Sequence, residues 1–235
     1  MQEEISKHSK KIYKTVKNSE HTLGEKVKEI IIEIFIIVFA VTLSIWLHSW
    51  SEHRHQQEEV AVFLGNLKND LKNDIESIDR EVKAYQKTNA DYEKILALTP
   101  SQLDSIYNSK SKVNFPIYSH GQTLTIGNYE GFKSSGKLGY IEDEKLKQKI
   151  LNYYQIYVPA ANEVDKMYTE FLFKCFDKEI ENADKPEKEL YSDPKYKKTL
   201  AYLVKLGKNN IRVYDENTKP LAVELIKEIE KELNK

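Results

Sequence analysis

Cysteine is almost missing from this chain. Cys175 stands alone in 235 residues, so an intramolecular disulfide is excluded and no zinc site can rest on two thiolates. It lies in Phe171-Leu172-Phe173-Lys174-Cys175-Phe176, an apolar helical setting that predicts a buried core thiol rather than a nucleophile. An excess of either charge is also lacking. Lys and Arg number 36 against 37 Asp and Glu, and so balanced a chain offers no global field for nucleic acid. Neither GxGxxG nor GxxxxGKS/T occurs, and strand-like alternation is nearly absent, so no phosphate loop or dinucleotide cofactor is expected. Ser134-Ser135 sits in no nucleophile elbow, and His120 has no recognisable serine or cysteine partner. The expectation is a protein that is not an enzyme, with no catalytic residues, no cofactor and no nucleic-acid partner. Proline is missing before Pro100, which leaves the first part of the chain free to form long uninterrupted helix.

What is present starts with Ile30 to Leu47, IIIEIFIIVFAVTLSIWL, in which Glu33 is the only charge. At ~1.5 Å per residue this stretch spans ~27 Å as a helix, enough for the hydrocarbon core of a bilayer. A soluble core helix is not apolar on every face over such a length. A cleaved signal peptide ends in small residues, whereas this run exits through Trp46, Leu47, His48 and Trp50, so an uncleaved signal anchor is expected. Trp46 and Trp50 lie at i, i+4 and suit the interfacial belt. Glu33 lies one turn inside the span, where a carboxylate either marks the headgroup edge or pairs with a partner helix. Lys14, Lys17, Lys26 and Lys28 precede the span and Arg54 alone closely follows it. The positive-inside rule then places the N-terminus in the cytoplasm and everything after Trp50 outside, in the periplasm of a single-pass inner-membrane protein. The domains are a basic tail (1–28), a transmembrane helix (29–50) and an extracytoplasmic domain (51–235). In the tail, Ile5, Ile12 and Val16 recur at helical spacing, consistent with a short amphipathic helix on an anionic surface or with a solvated tail that only sets topology.

From Ser51 the helix continues to about Leu98. Leu64, Leu71, Ile78, Tyr85 and Tyr92 recur at seven, interleaved with Ile75, Val82, Asn89 and Leu96. That a/d seam fits a parallel homo-oligomeric coiled coil or, as preferred here, one helix of an antiparallel bundle. Residues 99–140 hold five of the eight glycines. Ser101 is read as the N-cap of a short helix, and Thr123 to Ser135 as another, with Tyr129 and Phe132 inward and Gly136 at its end. Glu142 to Glu181 is read as a long helix with Leu146, Ile150, Tyr153, Tyr157, Val164, Met167, Phe171 and Cys175 on one face and a kink at Pro159. A polar connection (Asn182–Asp193) leads to a last helix from Pro194 to about Leu233, buried through Leu200, Leu203, Leu206, Leu221, Leu225, Ile229 and Leu233, with a break expected near Gly207 or Pro220. The fold class is all-α: a single transmembrane helix continuous with an extracytoplasmic antiparallel helical bundle.

Two stretches resemble an uncharacterised bacterial family, domain-of-unknown-function family 6090. The first runs from Glu33 through Trp50 to Glu52. The second is Tyr129-Glu130-Gly131-Phe132-Lys133-Ser134-Ser135-Gly136-Lys137-Leu138, leading through Ile141 into Glu144-Lys145-Leu146 and Tyr153-Tyr154. The chain departs from the family's pattern at Ala40, Trp46 and His48. The resemblance implies a short-tailed, single-span protein with a helical outer domain; it carries no activity over to this chain.

Candidate sites are few. His48, Glu52 and His55 share one helix face, but three ligands along one straight helix cannot surround an ion, so no metal is expected. Tyr129, Tyr153, Tyr154 and Tyr157 are candidate pocket residues, or core tyrosines whose hydroxyls reach the rim. The expected role is a membrane-anchored interaction or scaffold module bound to the bilayer and to protein partners or its own copies. The other reading is an extracytoplasmic sensor or ligand-binding bundle acting through a membrane partner.

Overall fold

The computed structural model describes residues 6–7, 10, 13–14, 23–113, 115–116 and 124–235. The readings of Ile5, Ile12 and Val16, and of His120, fall outside them. Helix α1 is Leu23–Ala97. The chain divides into two compact units, 1–59 and 60–235.

In the first unit, one stretch is long and apolar enough to cross a membrane, and 6% of its most apolar window is buried. Ile31, Ile34, Phe35, Val38, Phe39 and Ile45 are exposed. Water penalises each such side chain by roughly 1.5–3 kcal/mol relative to an apolar environment. Glu33 is the exception, buried among exposed apolar neighbours.

The second unit is all helical among its described residues. Thr99, not Ser101, caps α2 (Pro100–Asn108): its hydroxyl accepts from Gln102 N, and the Gln102 side chain returns a bond to Thr99 N. Pro100 accounts for the choice, because it forces Thr99 into extended backbone and suits the first helical turn itself. Helix α3 (Gly127–Ser134) follows, later than Thr123, and Gly136 beyond it takes a φ of +74°, where glycine is favoured. A 3₁₀ turn (Lys137–Tyr140) leads to α4 (Glu144–Asn152), capped by Asp143. Then come α5 (Val158–Glu181), α6 (Glu187–Ser192, inside the expected polar connection), α7 (Pro194–Arg212) and α8 (Lys219–Leu233).

The expected kink at Pro159 and break near Pro220 are replaced by one device. A π-helical segment, Tyr153–Tyr157, joins α4 to α5, and a second, Val213–Thr218, joins α7 to α8. Val158 N bonds Tyr153 O and Lys219 N bonds Tyr214 O, each reaching five residues back. Pro159 and Pro220 follow at once, so the wide turn makes room for a ring that would strike a carbonyl of the tighter helix. The two π segments pack against one another. Gly207 breaks nothing; α7 runs straight through it.

Helix α5 packs on α7, α4 on α8, and α2 on α6. The seam of α1 forms the spine of the core, with Leu64, Leu67, Leu71, Ile78, Tyr85 and Tyr92 nearly inaccessible. Lys197 Nζ donates to Leu98 O at 2.9 Å and so satisfies a carbonyl just beyond the end of α1.

Candidate functional site

The tyrosine hydroxyls do not reach the rim as expected; buried carboxylates hold several of them inside. Asp165 on α5 is the clearest case. Tyr85 of α1 donates to its Oδ1 at 2.8 Å, Asn210 Nδ2 of α7 donates to the same oxygen at 3.2 Å, and Tyr214 of the second π segment donates to Oδ2. Asn210 Nδ2 also donates to Tyr85 Oη at 2.9 Å and to Val164 O at 3.2 Å. All four side chains are buried. Burial and the facing carboxylate push the hydroxyls of Tyr85 and Tyr214 far above the ordinary phenol range, so both remain donors. Glu179 repeats the pattern, accepting from Tyr196 at 2.8 Å and Tyr191 at 3.5 Å; burial raises its carboxyl above the usual range.

A third carboxylate lies where the glycine-rich segment meets α1. Thr125 N donates to Asp74 Oδ1 at 2.8 Å, and Asn128 Nδ2 donates to Asp70 Oδ2 at 2.7 Å. Burial raises the Asp74 carboxyl, the Thr125 bond offsets part of that, and neighbouring Asp70 adds to the rise. The hydroxyl of Tyr153 faces Asp74. Tyr129 stacks on Tyr154 with centroids 4.5 Å apart, and its hydroxyl accepts from Gln155 Nε2 at 2.9 Å. Phe132 stacks on Phe63 of α1 at 3.9 Å. Asp70 and Asp74 fix α3 by its polar edge, and Phe132 and Tyr129 fix it by rings.

On the far side of Tyr153 a cleft of about 90 Å³ opens, lined by Lys149, Asn152, Tyr153, Tyr157, Leu221, Glu224 and Leu225. It lies where the first π segment faces the start of α8. Lys149 Nζ bridges Glu224 and Glu228 at 2.7 and 2.9 Å along its edge. A cleft this size takes a few waters or a small polar solute, well below the several hundred Å³ of a typical ligand pocket. Of the candidate pocket residues, Tyr153 and Tyr157 line it, while Tyr129 and Tyr154 stack elsewhere.

The membrane candidates belong to the first unit. Trp46 and Trp50 are exposed, and Glu33 is buried. His48, Glu52 and His55 are exposed; His55 reaches Glu59 at 3.7 Å instead. Among the described residues no three His, Cys, Asp or Glu side chains gather as for a metal ion. Cys175 is fully buried, and burial pushes its thiol up to about 12, with Glu179 adding to the rise, so it is not a nucleophile at neutral pH. Asp74, Asp165, Asn210 and Glu179 were not among the expected site residues. None of them stands at a position of the expected seams, so the apolar pattern did not mark them.

No curated protein and no solved structure matches the chain. Residues 33–181 match a family of unknown function (DUF6090), which takes in the apolar span, the long helix, α3 with its tyrosine stack and α5. By that match, over more than half its length, the chain belongs to the family of unknown function DUF6090.

Proposed function

We propose that this chain is a membrane-anchored, non-enzymatic interaction module. Its N-terminus lies in the cytoplasm, and an antiparallel helical bundle after Trp50 presents helix faces to a protein partner in the periplasm. The carrying observation is a contrast between the inside and the outside of the bundle. Inside, Asp165 and Glu179 are committed to tyrosine and amide donors, the thiol is buried, and at the cleft Lys149 and Glu224 are paired with each other, so among the described residues these groups offer no poised acid, base or nucleophile. Outside, Met167, Phe173, Ile180 and Tyr202 are exposed apolar side chains on neighbouring helices. Photo-crosslinkers at Phe173 and Ile180 in native membranes test this. A discrete protein adduct, the same from both positions, is the expected result; labelling of lipid alone or of nothing overturns it. A reporter fused to the C-terminus tests topology, and a cytoplasmic signal would reverse the orientation.

A second reading, a sensor, rests on the cleft between the first π segment and α8. π segments are frequent at functional sites, and one that relaxes shifts the register of the helix beyond it. A small solute that raises the melting temperature of the wild type but not of a Tyr157→Ala variant would favour that reading.

A further inference from the structure

We propose that α7 is the docking ridge for an acidic helix of a partner protein, which rests on the interaction-module reading and specifies its partner. Helix α7 carries Lys195, Lys197, Lys198, Lys205, Lys208 and Arg212 and no aspartate or glutamate, in a chain whose charges nearly cancel as a whole. Lys198, Lys205 and Arg212 stand seven residues apart and are exposed, so they form one line along the outer face with cations about every 10.5 Å. Tyr202 lies beside that line. Its ring sits 4.6 Å from Phe171 of α5, and Lys174 lies 4.6 Å over the same Phe171 ring.

On other helices several lysines have acidic partners close by: Lys94 with Asp91, Lys133 with Glu130, Lys149 with Glu224 and Glu228, and Lys219 with Asp79. Among the described residues Lys174, Lys195, Lys198 and Lys205 make no ion pair, and α7 holds no acid to offer them. Lys208 alone of the exposed α7 lysines reaches across, to Glu93 at 2.7 Å. Repulsion along such a ridge is relieved by charge from outside. The seven-residue spacing matches a helix that carries Asp or Glu once per heptad, the arrangement by which flanking charges choose partners between packed helices. Tyr202, Phe171 and the exposed Met167 supply the apolar floor. A protein is favoured over a lipid surface because the apolar side chains beside the ridge, Tyr202, Phe171 and Met167, are each less than half exposed and do not stand out to insert below headgroups.

The test uses the full chain in nanodiscs of zwitterionic lipid. The probe is a synthetic helical peptide of about three heptads with Glu at one outer position of each. The wild type is expected to bind it, more weakly as salt rises. K198E/K205E should bind it at least about tenfold more weakly and should instead bind the same peptide with Lys for Glu. Circular dichroism and melting temperature confirm that the variant is folded. Equal binding of a sequence-scrambled acidic peptide, no binding of the heptad peptide, or tighter binding of duplex DNA or anionic phospholipid vesicles overturns the proposal. Crosslinks from Phe173 and Ile180 that persist in K198E/K205E would leave the interaction module standing without this ridge, so the two readings fail separately.

Discussion

Gly207 of α7 faces the side-chain amide of Asn89 on α1 so closely that a methyl group on Gly207 would stand 2.3 Å from Oδ1 and 2.9 Å from Nδ2. The glycine is there for close approach, not to end a helix. Ala gains up to about 1 kcal/mol of helix propensity over Gly, but overpacking of a core costs roughly 1–3 kcal/mol. G207A is therefore expected to lower the urea midpoint. The Asn89 amide makes no hydrogen bond among the described residues, so N89A removes the obstacle without breaking one. In the N89A background the sign should reverse, with alanine at 207 neutral or stabilising. The same loss in both backgrounds would show that the contact is not the cause.

Asp165 draws four elements together: α1 through Tyr85, its own α5, α7 through Asn210 and the second π segment through Tyr214. A hydrogen bond to a charged group contributes about 1.5–3 kcal/mol. Y214F and Y85F are each expected to lower unfolding free energy by about that amount, and the double variant by less than the sum, since both hydroxyls serve one carboxylate. D165N should cost more than either, because its amide would turn a donor toward existing donors. Chemical denaturation followed by circular dichroism measures all four.

The long helix was legible because its seam repeats without interruption: Leu64, Leu71, Ile78, Tyr85 and Tyr92 are all buried. The face of the next helix was legible as far as Tyr153 and again at Cys175, which is buried. Between them Tyr157, Val164, Met167 and Phe171 were expected inward, whereas Val158, Ala161, Asp165, Tyr168 and Leu172 are buried, one residue later. The π segment inserts that residue. A period of 3.6 cannot reveal an insertion, because either face carries apolar side chains, and Pro159 reads as a kink when it marks the widened turn. After the second π segment Ala222 is buried in place of Leu221, while Leu225 and Ile229 are buried as expected. The candidate site was half legible for a related reason. Tyrosines announce themselves by composition, but Asp74, Asp165 and Glu179 become partners only when separate helices meet.

Stability should rise on mild acidification. Burial raises the carboxyls of Asp74 and Glu179 above their unfolded values near 4. Between each unfolded value and its raised folded one the folded chain binds more protons. The contribution is thus fully present below the unfolded value and is lost as pH rises through the folded one. Asp143 and Glu228 act oppositely: Leu146 N at the cap and Lys149, respectively, lower them, so their contribution is lost as pH falls through their folded values, below the ordinary carboxylate range. The melting temperature should therefore pass through a maximum on the acid side of neutrality. D74N keeps an acceptor for Thr125 N and removes one titration, so its melting temperature should exceed the wild type's at pH 7 and change less with pH. A monotonic fall from pH 7 to 5, unchanged in D74N, would exclude this account.

Cys175 makes the bundle report its own opening. It is fully inaccessible, and its thiol is pushed up to about 12. At pH 8 the native chain should therefore react with a thiol reagent far more slowly than a free cysteine, whose thiolate fraction is substantial at its ordinary value near 8.5. Reaction then proceeds through the opened state, at a rate set by the opening equilibrium when reclosing is fast. Y214F should accelerate labelling by the factor its stability loss predicts, about tenfold per 1.4 kcal/mol, while G207A in the N89A background should not. Rapid labelling of the native wild type, with no dependence on Y214F, would mean that α5 exposes its cysteine face without unfolding.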